Sequence, residues 1–236
     1  MDFNDTPEEA KFRKEAYDWL KANAPLKEGP KDSWRAASEE EGLKEVKAWQ
    51  KKLHDGGWAC LHWPKQYGGR ESTPIERVIW GQEVSKFKVP GGYLEIGQGM
   101  AGPVMMMYAT EEQKERYLPP LATGEEIWCQ LFSEPAAGSD VAGIKTKAEL
   151  DGDTWTINGQ KVWTSGAHFS DYGILVTRSD PTVAKHKGLT FFFVDMKSPG
   201  IEVKPIKQIS GGDNFNEVYF TDVKIPDSQR LGAIGD

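Results

Sequence analysis

Cysteine is scarce. The 236 residues hold two, Cys60 and Cys129, far apart in the chain, which excludes a disulfide framework and a paired-cysteine metal site. The four histidines, His54, His62, His168 and His186, show no ligand spacing, so no metal is expected. No run approaches the roughly 18 apolar residues of a membrane helix, and no membrane span is expected. Positive charge is outnumbered: 29 Lys and Arg against 36 Asp and Glu leave a net −7, which argues against a nucleic-acid partner. An anionic small molecule would need a local basic cluster instead. The N-terminus is acidic and enters a helix signal at once, so no leader is expected and the chain reads as a soluble protein of a reducing, cytoplasmic compartment.

Large apolar side chains are plentiful, with nine Trp and ten Phe. The first half has helical punctuation. Thr6-Pro7-Glu8-Glu9 is a capping box with proline at the first helical position, followed by Phe12, Ala16, Trp19 and Leu20 at helical spacing. Ser38 with Glu41 opens a second helix that Gly56-Gly57 ends. Thr73 with Glu76 and Thr110 with Gln113 repeat the start signal, and Pro119-Pro120 is expected to stop the last of these helices. A buried helix is expected from Gly99 to Tyr108.

The pattern changes near Gly124. From Ile127 onward, short β-rich runs alternate with turn residues: Trp128–Phe132, Lys145–Leu150, Thr154–Ile157, Lys161–Thr164, Gly173–Thr177, Leu189–Val194, Ile201–Val203, Val218–Phe220 and Val223–Ile225. Asp151-Gly152-Asp153 and Asn158-Gly159 carry hairpin-type turn signals. Helices followed by strands predict an α+β chain, an α domain and then a β domain.

Two segments carry chemistry. Ser133-Glu134-Pro135-Ala136-Ala137-Gly138-Ser139-Asp140 follows a strand and lacks bulky side chains. Its small residues let the backbone approach a ligand, and Ser133, Ser139 and free N–H groups offer donors. On chemistry alone it is either a functional loop or a plain surface turn. In the second segment a hairpin at Asn158-Gly159 would place Trp163 on the return strand beside Thr164 and Ser165. That indole either stacks on an aromatic cofactor, with the hydroxyls on its polar edge, or is an ordinary core tryptophan. Gly97-Gln98-Gly99-Met100-Ala101-Gly102 formally matches a dinucleotide fingerprint, but no strand precedes it and Pro103 follows, so none is expected. Met105-Met106-Met107 reads as core filling, His168 as a structural or surface histidine, and Lys185-His186-Lys187 as a solvated loop, with phosphate binding as its alternative.

Taken in order, these segments resemble the acyl-CoA dehydrogenase family. Ser133–Asp140 resembles its (S/T)EPxAGSD signature, and Ile157–Ser165 its INGxKxW segment. Trp63–Gly69 is similar to the WPxxYGG loop, Glu111–Leu121 to EEQKxxxLPPL, and Phe191–Val203 to FxVDxxxPGI. The resemblance runs over residues 6–236. It implies a helical N-terminal domain (1–125), a middle domain of β-barrel or sandwich type (126–236), and FAD bound between them. By the same resemblance Gln130, Phe132, Ser133 and Gly138 hold the flavin, with Ser133 near its reactive nitrogen. Ser139 reaches the substrate's pantetheine or phosphate portion and the nearby cofactor. Trp163, Thr164 and Ser165 cover one flavin face and bond its rim.

The implied reaction is α,β-desaturation of an acyl-CoA thioester, with electron-transfer flavoprotein as acceptor and a homo- or hetero-oligomer, a tetramer, as the complete protein. Family members carry their catalytic Glu in a further C-terminal helical domain, which this sequence does not contain. No base is therefore assigned, and Glu134 is expected to be structural. The alternatives are a non-catalytic subunit of a two-chain dehydrogenase and a same-fold flavin oxidase or monooxygenase.

Overall fold

The computed structural model describes residues 4–235. Contacts divide them into two compact units. One takes the chain up to Tyr93 together with Ala122–Glu125; the other takes Leu94–Leu121 and the chain from Glu126 onward.

The first unit is helical. Helix α1 (Pro7–Asn23) starts on the Thr6 box: Glu9 N donates to Thr6 Oγ1 at 3.3 Å and Thr6 N to Glu9 Oε2 at 2.7 Å. It buries Phe12, Ala16 and Leu20. Helix α2 (Glu39–Asp55) is capped by Ser38, and α3 (Pro74–Val84) repeats the box at Thr73. The core is aromatic. Trp58 and Trp80 stack at 4.6 Å, Trp19 packs against both, and the Arg70 guanidinium lies 4.0 Å from the Trp58 ring. Glu83 is buried but paired, to Arg13 at 2.8 Å and Lys86 at 2.6 Å.

The second unit begins with a π-helical turn (Gly97–Ala101) that leads into α4 (Gly102–Tyr108). The helix expected to be buried is only partly so, since Met107 and Tyr108 are exposed. Helix α5 runs Glu111–Thr123, its last residues belonging to the first unit. Pro119 and Pro120 lie inside it and do not stop it. Each proline removes one intrahelical bond, while Leu118 and Leu121 on either side are fully buried. Gln113 fixes α5 to the end of the unit, donating to Ser228 O at 2.8 Å and Arg230 O at 3.1 Å.

The rest is β: β1 (Trp128–Leu131), β2 (Lys147–Asp151), β3 (Thr154–Ser165), β4 (Tyr172–Arg178), β5 (Leu189–Asp195), β6 (Ile201–Ile206), β7 (Phe215–Pro226) and β8 (Arg230–Leu231). One sheet path runs β6-β7-β3-β2-β4-β5-β8, and β1 pairs in parallel with β4. The sheet curls around one core. Trp155 of β3 meets Phe192 of β5 at 5.1 Å, although β2 and β4 separate them along the path, and Val218, Phe220 and Ile225 share that core with Leu175 and Val194. The chain is thus a helical part followed by a mixed-sheet part. No helix among the described residues is long and apolar enough to cross a membrane.

A boundary expected between two strands is a bulge inside one. Asp151-Gly152-Asp153 does turn the β2–β3 hairpin, but Asn158-Gly159 does not turn at all: β3 runs through it against β7. Gly159 has φ +153°, and a Cβ there would lie 2.7 Å from Thr146 Cα. Close backbone approach, rather than a turn, demands this glycine. The ladder shifts register between Ile157 and Gly159 and again between Lys161 and Thr164.

Candidate functional site

The second register shift builds the site. Along a regular strand, alternate side chains face opposite sides. At Trp163 the backbone takes φ +60°, a left-handed conformation uncommon for a bulky residue. The indole is 57% exposed, whereas Val162 and Thr164 on either side are buried. Phe215 lies edge-on to it at 6.1 Å. Asn216, fully buried on β7, braces the bulge from below. Its Nδ2 donates to Thr164 O at 3.0 Å and lies 3.1 Å from His168 Nδ1. The Asn216 oxygen and the Thr164 hydroxyl are buried without a partner among the described residues.

The signature loop is joined to this bulge by its backbone. Val162 N donates to Ser133 O at 2.9 Å, and Glu134 and Ala137 exchange backbone bonds at 2.8 and 3.0 Å, closing a tight turn. Beneath the turn, Lys161 Nζ donates to Phe132 O at 3.0 Å and to Glu134 Oε1 at 2.8 Å. Glu134 also accepts from the backbone N–H groups of Lys145 and Thr146, at 2.6 and 2.9 Å. Burial raises the Glu134 carboxyl, but Lys161 and these donors outweigh it and hold it below the usual range. Burial pushes the Lys161 ammonium down to about 8, against the pull of Glu134.

The residues expected at the site divide by exposure. Ser133, Trp163 and Ser165 are at least partly exposed, and the Val162–Ser133 bond links their two segments. Thr164, grouped with them in the sequence, points into the unit at 1% exposure. Gln130 sits half-buried on β1 opposite Ile174, and Phe132 packs edge-on against Phe191 at 5.6 Å. Gly138 and Ser139 are exposed on the outer limb of the loop, where Asp140 pairs with Lys185 at 2.7 Å. No hydrogen bond among the described residues engages the Ser133, Ser139 or Ser165 hydroxyls. An exposed indole beside uncommitted donors fits a planar cofactor with a polar edge, as FAD has.

Beyond the loop lies a cleft of about 470 Å³ whose lining includes Lys145, Lys147, Arg178 and Lys185. Arg178 donates to the Ala142 and Lys185 carbonyls, so the cleft wall is cross-braced. This is a local basic cluster on an acidic chain. Sequence reasoning gave no role to Arg178, Asn216 or Lys161. For Lys161 the available signals were its place in the INGxKxW segment and a charged residue inside a strand otherwise rich in β-formers.

Two family models match. Acyl-CoA dehydrogenase, N-terminal domain, covers residues 6–125, and acyl-CoA dehydrogenase, middle domain, covers 129–223. The chain is 40% identical over 198 residues to acyl-CoA dehydrogenase IpdE1 of Mycobacterium tuberculosis, an alignment covering 84% of this chain and 51% of that protein. The solved Tcur3481-Tcur3483 steroid ACAD superposes with TM-score 0.80 at 30% identity, over 100% of this chain and 59% of that one. The ChsE4-ChsE5 complex from Mycobacterium tuberculosis gives 0.78 at 28%, over 100% and 59%. The chain therefore spans about half the length of the relatives it matches. Both models match in order along most of these 236 residues, and the chain belongs to the acyl-CoA dehydrogenase family, of which it presents the N-terminal and middle domain regions.

Proposed function

We propose that this chain binds FAD and an acyl-CoA thioester as part of a flavin-dependent acyl-CoA dehydrogenase that desaturates the Cα–Cβ bond. The observation that carries the reading is the second bulge. It holds a tryptophan exposed at φ +60°, tied through Val162 to a serine whose hydroxyl is uncommitted. Such strain in an exposed aromatic is maintained only where the surroundings over-determine it, as they do at binding sites. When bound, FAD would supply the two-electron acceptor.

Trp163 covers one face of the flavin ring, Ser133 and Ser165 bond its polar edge, and Gln130, Phe132 and Gly138 line the approach. Ser139 meets the pantetheine or phosphate part of the substrate and the nearby cofactor. The cleft at Lys145, Lys147 and Arg178 receives the CoA phosphates, the local cluster that a chain of net charge −7 requires. The base that removes the α-proton is not Glu134, whose carboxylate is buried and already bonded to Lys161 and two backbone amides. By the resemblance above, the base belongs to the family's C-terminal helical domain, in this polypeptide or in a second chain. The two-part names of both solved relatives favour the second chain and a hetero-oligomer. We divide the chain functionally at 125/126, place it in the cytoplasm, and take electron-transfer flavoprotein as the acceptor.

The test is the native assembly. It should be yellow and bleach when an acyl-CoA substrate is added without oxygen. A colourless assembly that takes up no FAD overturns the reading. Oxygen consumption during turnover would assign the chain to a same-fold oxidase or monooxygenase instead, and full activity of the partner alone would make it a non-catalytic subunit.

A further inference from the structure

We infer that Lys161 is a positioning residue for the flavin: its buried ammonium grips the Phe132 carbonyl and so aims and polarises the Ser133 amide that meets the cofactor. The inference rests on the FAD reading above and adds a residue to it.

Lys161 is fully buried, the least expected place for an ammonium. Replacing a buried ion pair with apolar side chains of similar volume is often neutral or stabilising, so stability is a weak account of this one. Its placement supplies a better account. Phe132 C=O and Ser133 N–H belong to a single peptide unit. Lys161 Nζ donates to that carbonyl at 3.0 Å, and the next residue, Val162, donates its backbone N–H to Ser133 O at 2.9 Å. Two consecutive residues of β3 therefore hold the carbonyls on both sides of Ser133. The Ser133 N–H and hydroxyl remain without partners among the described residues.

A cation on the carbonyl of an amide draws electron density from its N–H and strengthens that N–H as a donor, the cooperative polarisation of hydrogen-bonded chains. Glu134 keeps the ammonium in place. Its oxygens take Lys161 at 2.8 Å and the amides of Thr146 and Lys145 at 2.9 and 2.6 Å, which anchors the pair to the backbone entering β2. The line runs from the 145–146 backbone through Glu134 and Lys161 to the Ser133 amide. Reduction adds negative charge to the flavin, so a fixed cation behind its hydrogen-bond donor favours the reduced form.

The experiment uses the native holo-protein and the variants Lys161→Met, Lys161→Arg and Glu134→Gln. Folding is followed by circular dichroism, FAD affinity by titration of the stripped protein, and the reduction potential of bound flavin by dye equilibration. Lys161→Met should lower FAD affinity about tenfold and shift the two-electron equilibrium roughly tenfold toward oxidised flavin, about 30 mV. Lys161→Arg, which keeps the charge, should restore most of that shift. Glu134→Gln, which removes the anion and leaves the ammonium, should move the potential the opposite way. A purely structural pair would lower stability in both Lys161→Met and Glu134→Gln and leave the potential where it was; that result overturns the inference. If Lys161→Met does not fold, the Glu134→Gln potential decides, a rise supporting the inference and no change overturning it. A parent protein that binds no FAD overturns the functional reading itself, an outcome distinct from equal potentials in parent and variants.

Discussion

The β3–β7 ladder carries two bulges, and they are built in opposite ways. At the first, Asn158 and Asp222 seal the defect reciprocally: Asn158 Nδ2 donates to Asp222 Oδ1 at 3.0 Å and Asp222 N to Asn158 Oδ1 at 2.9 Å. The left-handed position on that side falls to Asp222, a residue type that tolerates it, and Gly159 takes the crowded one. At the second, the left-handed residue is a tryptophan, 57% exposed, with uncommitted hydroxyls nearby and two buried oxygens unpartnered below. The first bulge satisfies its own groups and ends in itself. The second leaves them open, and a site that must receive something else has that character.

Substitutions should separate the two. The largest effect is expected at Gly159→Ala, where the added methyl meets Thr146 Cα at 2.7 Å. The β unit should lose more than about 3 kcal/mol in denaturant unfolding. Next comes Asn216→Ala, which removes the side-chain donor to the buried Thr164 carbonyl and should cost about 1–3 kcal/mol, read from the denaturation midpoint.

Acid should probe the same bulge. The folded Glu134 carboxyl lies below its unfolded value of about 4.5, so its contribution is present above that pH and is lost as pH falls through the folded value. The parent should therefore weaken more steeply between pH 5 and 3 than Glu134→Gln does. Equal slopes would contradict the ion pair. A smaller effect, about 1 kcal/mol, is expected for Asp222→Ala, with flavin retention unchanged. Smallest in stability is Trp163→Ala, within about 0.5 kcal/mol because the indole buries little.

Much of this was legible in the sequence, where the deciding contacts were local. The caps at Thr6, Ser38, Thr73 and Thr110 act across three residues and stand as read. So does the order of helices before strands. Asn158-Gly159 misled because the group that makes it a bulge, Asp222, lies 64 residues away, and Pro119-Pro120 misled because burial on either side of the prolines outweighs two lost bonds. Ser133 and Trp163 were visible as motifs. That Thr164 faces inward was not, because the bulge reverses the alternation around it, and Lys161 and Asn216 act on carbonyls, Phe132 O and Thr164 O, that no sequence pattern marks.

Flavin content per chain in the native assembly, compared across the parent, Asp222→Ala and Trp163→Ala, tests the central claim most directly. The open bulge should be the one that matters: Trp163→Ala loses most of its FAD while keeping its fold, and Asp222→Ala, the less stable of the two, keeps its FAD. Equal FAD content in Trp163→Ala and the parent would contradict the account.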